Sequence, residues 1–213
     1  MQRENNMKKD ITTEQKIKDA ARKVFMTKGF SGCTTREIAK SVGINVALLN
    51  YYFRSKGKLF ELILEAALSD LIDGMVDVFH QDKSLEDKTR LIIDKEFEFL
   101  KKYPEFPLFI HAGLNQESDT EMDLSSFLGR LYKTGIFEQC EKAQAEGKMR
   151  KVNMINVTLL FMSNCHFPIM SKKLISGIYQ ISEEEHENIL IAHQEIVKEM
   201  LINYLFPNTN EHA

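Results

Sequence analysis

The chain has no tryptophan, and only three cysteines, four prolines and ten glycines in 213 residues. Each scarcity removes a class of protein. Cys33, Cys140 and Cys165 lie far apart with no CxxC pair, which argues against a zinc site and against a disulfide framework. Three scattered thiols suit a reducing compartment, so the expected location is the cytoplasm. Neither a low-complexity tract nor an internal repeat is present. There is also no GxSxG, no P-loop and no glycine-rich dinucleotide turn. The chain is therefore not expected to be an enzyme, and no cofactor or metal is expected. No apolar run reaches the length of a membrane span, so no membrane partner is expected. The polar first ten residues lack the apolar core of a secretion signal.

What the sequence does have is a division of charge. Residues 1–60 hold 13 Lys and Arg against 5 Asp and Glu, a net of about +8. The remainder holds 15 against 26, about −11, and the near-neutral total of −3 conceals the split. A basic segment attracts a phosphate backbone, while an acidic body is repelled by it and must point away.

Residues 29–59 give that basic segment a shape. Thr34 and Thr35 offer hydroxyls to cap a helix, and Glu37 stands three residues after Thr34 at capping-box spacing. Ile38, Ala39 and Val42 then form an apolar stripe, and Ala39 is small where a second helix must pass close by. Gly43 follows where the helix must end in a left-handed conformation. Ile44 plugs the corner, and Asn45 can cap a second helix carrying Val46, Leu49 and Phe53 on its inner side. Tyr51, Ala47 and Leu48 face outward on that helix, and Arg54, Lys56 and Lys58 follow it. Two short helices at a glycine corner, with a basic, tyrosine-bearing outer face, are the means of placing a helix in the DNA major groove. An ordinary helical hairpin leaves the paired threonines, the exposed tyrosine and the basic run without a purpose.

This segment resembles the DNA-binding domain of the tetracycline-repressor (TetR/AcrR) family of bacterial transcriptional regulators. The resemblance rests on Gly29-Phe30, Thr34-Thr35, Ile38-Ala39, Gly43-Ile44, Tyr52-Phe53, Lys56 and Leu59, and runs from near Thr12 to about Leu62. It implies base reading by Asn45, Ala47, Leu48, Asn50 and Tyr51. It implies phosphate contacts from Thr35, Arg36, Tyr52 and Lys56, the last at a helix N-terminus. Relatives often carry a basic or hydroxyl side chain at the positions of Val46 and Leu48. Here Val46, Ala47 and Leu48 are all apolar, which favours thymine methyls over guanine edges.

The fold class expected is all-α, an N-terminal helix-turn-helix three-helix domain followed by a larger C-terminal helical bundle domain. Residues 1–10 read as a flexible arm, 11–57 as the DNA-binding domain and 58–213 as an effector-binding and dimerisation domain. Helices are expected at Thr13–Lys28, 58–80, 86–102, 105–115, 122–146, 153–174 and 183–205. Breaks are expected at Asp82-Lys83-Ser84, Tyr103-Pro104, Glu117-Ser118-Asp119, Gly147 and Ser176-Gly177, with Pro168 kinking or ending the first half of 153–174. Ser182 and Glu185 form a second capping box. Leu190, Ile191, Ile196, Val197, Met200, Leu201, Tyr204 and Leu205 exceed a single narrow stripe, as contact on two sides requires.

The second domain is rich in phenylalanine and methionine, which fill cores and also line adaptable apolar pockets. Phe97, Phe109, His111, Phe127, Phe161 and His166 are the candidates for an effector pocket, the histidines as polar anchors. His186 and His193, seven apart on one helix, are too far separated to grip a single metal and read as solvated. The function expected is a ligand-responsive transcriptional regulator, a repressor, nucleoid-associated, binding palindromic double-stranded operator DNA as a homodimer. A small apolar or amphipathic effector would release it. The alternative is the same fold without an effector, controlled by a protein partner or acting architecturally.

Overall fold

The structure, a computed structural model, describes residues 12–30, 32–108 and 129–207. Helix α1 (Thr13–Lys28) starts where the Thr12 hydroxyl accepts from the Gln15 amide, and Gly29 ends it at φ 69°. Helices α2 (Thr35–Val42) and α3 (Val46–Phe53) follow, and α4 (Lys56–Phe79) is the first long helix. Helices α5 (Leu85–Lys102), α6 (Ile136–Ala145), α7 (Met154–Met170), α8 (Lys172–Tyr179) and α9 (Glu183–Leu205) complete those of eight or more residues among the described residues. No strand occurs among them, as the sequence leads one to expect.

The described residues up to Glu65 belong to one compact unit and those from Ala66 onward to a second. In the first, α1 contributes Ile17, Ala21 and Phe25 at helical spacing, all fully enclosed. Ile38 and Ala39 of α2, Leu49 and Phe53 of α3, and Leu59, Phe60, Ile63 and Leu64 of α4 are buried in the same unit, as is Cys33. The ring of Phe60 stands edge-on to both Phe25 and Phe30, 5.0 Å between centroids in each case. Such pairs add to the burial term, which is itself about 2 kcal/mol for a large apolar side chain.

In the second unit α5, α7 and α9 pack against one another. Their buried faces supply Ile93, Phe97, Leu100, Cys165, Ile169, Val197 and Leu201. Ile136, Cys140, Ala143 and Met149 form a further cluster with Leu205. Asp94 of α5 ties α9 in place, accepting from Lys198 Nζ at 2.5 Å and Gln194 Nε2 at 2.6 Å. All three cysteines are buried, and burial pushes each thiol's pKa up.

Four expectations need correction. The helix expected over 122–146 is interrupted: residues 133–135 turn, and α6 starts only after Gly135 at φ 70°. The helix expected over 153–174 runs through Pro168 and ends at Ser171. Asn164 is four residues before Pro168, so its carbonyl has no proline N–H to accept from, and His193 Nε2 fills that place at 3.0 Å. A proline whose orphaned carbonyl finds another donor does not have to end the helix. The break expected at Ser176-Gly177 falls instead at Gln180, in left-handed conformation at φ 52°. His186 is buried rather than solvated, and His193 is half-buried, because this face of α9 turns into the bundle. The expected arm, most of the 105–115 helix and residues 122–128 lie outside the described residues.

Candidate nucleic-acid interface and ligand cavity

The corner between α2 and α3 is built from local chemistry. Thr34 is the cap of α2, its hydroxyl accepting from the Glu37 amide while Glu37 Oε2 accepts from the Thr34 amide at 2.8 Å. Thr35 is the first residue inside the helix and is half-buried. The other Glu37 oxygen takes the Lys28 ammonium of α1 at 2.7 Å. This hydrogen bond first, then those from Thr34, hold the Glu37 carboxyl down at about 2. The same contact raises the Lys28 pKa.

Gly43 closes α2 at φ 75° and ψ 27°, a left-handed corner that a side chain would strain. The Ile44 amide reaches back to the Ala39 carbonyl at 3.0 Å and fixes the turn. Asn45 then caps α3, its Oδ1 accepting from the Leu48 amide at 2.8 Å. Arg54 ends α3 at φ 61°, uncommon for a side-chain-bearing residue, and α4 begins two residues later.

The faces of α3 are thereby assigned. Leu49 and Phe53 are buried and Val46 is half-buried. Asn45, Ala47, Leu48, Asn50 and Tyr51 are all exposed, and Tyr51 presents 81% of its surface. The five candidate base readers therefore share one open surface. Asn45 has one acceptor lone pair committed to the cap and keeps its amide protons free of it. The side chain of Asn50 makes no hydrogen bond among the described residues. Tyr52 stands edge-on to Tyr51 with 5.6 Å between ring centroids.

Of the candidate phosphate contacts, Arg36 and Tyr52 are exposed. Lys56 is held inward. Its ammonium donates to the carbonyls of Phe30 and Cys33, both at 2.9 Å, and stands 4.0 Å from the centroid of the Phe30 ring. Two of its three N–H donors are thus committed, which leaves one for a phosphate.

The second unit contains an apolar cavity of about 340 Å³ among α4, α5, α6, α7 and α9. Phe161 and His166, two of the pocket candidates, line it. Phe97 does not: it is enclosed in the core with its ring edge toward His193. The reason is helical geometry, since Glu96 faces the cavity and the next residue points about 100° away. Phe109, His111 and Phe127 lie outside the described residues. Lys88 and Glu96 line the cavity without having been expected there. Lys88, Ile92 and Glu96 recur every four residues along one stripe of α5, so a charge at each end of an apolar stripe was a signal in the sequence. Among the described residues no group of His, Cys, Asp and Glu could hold a metal ion, and no helix is long and apolar enough to cross a membrane.

Comparison with known proteins supports the first unit by sequence and the whole chain by fold. The family model described as bacterial regulatory proteins, tetR family, matches residues 17–67. The probable HTH-type transcriptional regulator YttP of Bacillus subtilis is 51% identical over 51 residues, 24% of this chain and 25% of its own length. The chain thus spans only a quarter of that relative. IcaR of Staphylococcus aureus, the HTH-type negative transcriptional regulator of the biofilm operon icaADBC, is 28% identical over 162 residues, covering 71% of this chain and 81% of IcaR. A TetR family transcription regulator from Marinobacter aquaeolei superimposes with a TM-score of 0.70 at 16% identity, covering 92% of this chain and 96% of that one.

Proposed function

We propose that the chain, whose residues 17–67 match the model of bacterial regulatory proteins of the tetR family, is a transcriptional repressor that binds a palindromic operator as a homodimer and leaves it when a small amphipathic molecule enters the second unit. The exposed surface of α3 carries this reading: five residues able to meet base edges stand open on a helix pinned from behind by Leu49 and Phe53. Ala47 and Leu48 would meet thymine methyls, Asn50 the paired donor and acceptor of an adenine, and Tyr51 the groove wall. Thr35, Arg36, Tyr52 and the remaining N–H of Lys56 would hold phosphates and set the register. IcaR is a negative regulator, which favours repression over activation.

One short helix reads few base pairs, so usable specificity requires a second copy about 34–36 Å along the duplex. The second unit has a surface for this. Ile155, Leu159, Met162, Ile189, Ile196 and Met200 are large apolar residues exposed on α7 and α9. Large apolar side chains left in water in this number are what a protein interface covers. Dimerisation through these helices would cover it.

Release follows from a population shift. Helix α4 begins in the DNA-binding unit at Lys56, and its later residues Leu71, Ile72, Met75 and Phe79 line the cavity. A ligand that favours one position of this helix over another would alter the separation of the two α3 helices and so the fit to both half-sites.

The test is fluorescence anisotropy with DNA from upstream of the protein's own gene and a scrambled duplex, each at two salt concentrations. Saturable, upstream-selective binding by two protomers per site is the expected result. Equal, weak and strongly salt-dependent binding to both duplexes would move the operator elsewhere, and no binding to either would overturn the function.

A further inference from the structure

The cavity lining is mostly apolar, and two of its few polar side chains carry a buried charge that is incompletely matched. Lys88 is 5% exposed, and its ammonium has one hydrogen bond, to Gln139 Oε1 at 2.9 Å. No carboxylate among the described residues pairs with it. Glu96 is 1% exposed, and its Oε1 meets His166 Nε2 at 2.6 Å. Its Oε2 is sealed from solvent and has no partner among the described residues. The hydroxyls of Thr89 and Thr158, also on the lining, donate their protons to the Leu85 and Met154 carbonyls of their own helices and so have none left for a ligand acceptor.

Leaving such groups unmatched is costly. A buried polar atom without a partner costs about 1–3 kcal/mol, and a buried charge more. A wholly apolar ligand would seal both defects in. A simple carboxylic acid would match Lys88 and leave Glu96 Oε2 bare, whereas a simple amine would do the reverse. A molecule with a pole at each end satisfies both. Lys88 and Glu96 are eight residues apart on one helix, which sets their backbones about 12 Å apart.

We propose that the cavity takes a bipolar amphiphile: an apolar body with an acidic group held by Lys88 and, about 12 Å along α5, a hydroxyl that donates to Glu96 Oε2. The inference rests on the effector reading above and gives it a ligand class. His166 is the positioning residue of the hydroxyl end. By engaging Oε1 it fixes the plane of the carboxylate and leaves Oε2 as the acceptor still without a partner. Gln139 does the same for the ammonium of Lys88, and the two remaining N–H donors suit a carboxylate.

The experiment is calorimetric titration of the full-length protein with ω-hydroxydecanoate, decanoate and decanol, repeated with homologues two carbons shorter and longer. In the wild type the hydroxy acid should bind roughly tenfold or more tightly than either single-headed probe of equal length, the scale of one well-placed hydrogen bond to a charged group. Lys88→Met should erase the advantage of the hydroxy acid over the alcohol. Glu96→Met should erase the advantage of the hydroxy acid over the plain acid. The comparison of the three probes needs no variant, so a failure of either substitution to fold does not remove the test. Equal affinity for the three probes at every length would overturn the bipolar assignment while leaving an apolar effector cavity. No binding of any probe, decanol included, would overturn the effector reading with it.

Discussion

His193 donates from α9 to the α7 carbonyl that Pro168 cannot serve, the Asn164 oxygen, at 3.0 Å. A proline inside a helix removes one hydrogen bond, and the freed carbonyl must find another donor if it is to stay buried. His193→Phe should therefore destabilise the protein by about 1–2 kcal/mol, the cost of an unmatched buried acceptor. In a Pro168→Ala background the restored backbone N–H can donate to the same carbonyl, and the penalty should shrink. Denaturant unfolding of the four proteins in a double-mutant cycle measures this coupling, and additive losses would disprove it.

Acid should loosen the α2 cap in a defined window. Glu37 has its carboxyl held at about 2 in the folded state, chiefly by Lys28 and then by Thr34, against an ordinary value of 4.5. A lowered folded-state pKa stabilises fully above the unfolded value and fades as pH drops through the folded one. The stability difference between wild type and Glu37→Gln should accordingly be complete above pH 4.5 and disappear as pH approaches 2. Thermal melts followed by circular dichroism across that range read it out. Thr34→Ala, which removes the reciprocal cap, should cost about 1 kcal/mol at neutral pH.

Lys56→Ala should show two effects together. Losing a cation over Phe30 and two charge-assisted hydrogen bonds to the turn should cost about 2 kcal/mol of stability. Binding should weaken alike on all DNA sequences, with the salt slope reduced by about one. An effect confined to one operator would refute the phosphate role, while an unchanged melting point would refute the anchoring one.

Substitutions on α3 should separate reading from holding. Tyr51→Ala should lower affinity for the specific site about tenfold more than for bulk DNA, the scale of one base contact. Leu48→Arg should add preference for guanine, since arginine can pair with both acceptors of that base and leucine with neither. Selection from a random duplex pool, before and after each substitution, gives both answers.

Legibility in the sequence followed distance along the chain. The Thr34–Glu37 box, the Gly43 corner, the Asn45 cap and the Ser182–Glu185 box are interactions within a few residues, and the spacing alone reveals them. The Pro168 helix continues because of a residue 25 positions later, which no local rule contains. Lys56 reads as a free cation beside a helix end, yet it reaches back 26 residues to the Phe30 carbonyl. The burial of His186 and the enclosure of Phe97 depend in the same way on how α5 and α9 meet. Gly135 is a local signal that does not decide by itself, because glycine inside an otherwise helical stretch is ambiguous between tolerance and termination.

Finally, the seclusion of Cys33, Cys140 and Cys165 makes the folded protein nearly blank to thiol reagents, since only an accessible thiolate reacts quickly. A single cysteine introduced by Asn50→Cys on the open side of α3 would then be the one position labelled. Spin labels placed there on two protomers would report their separation as a ruler does, with and without DNA, in the unmodified background of the native thiols.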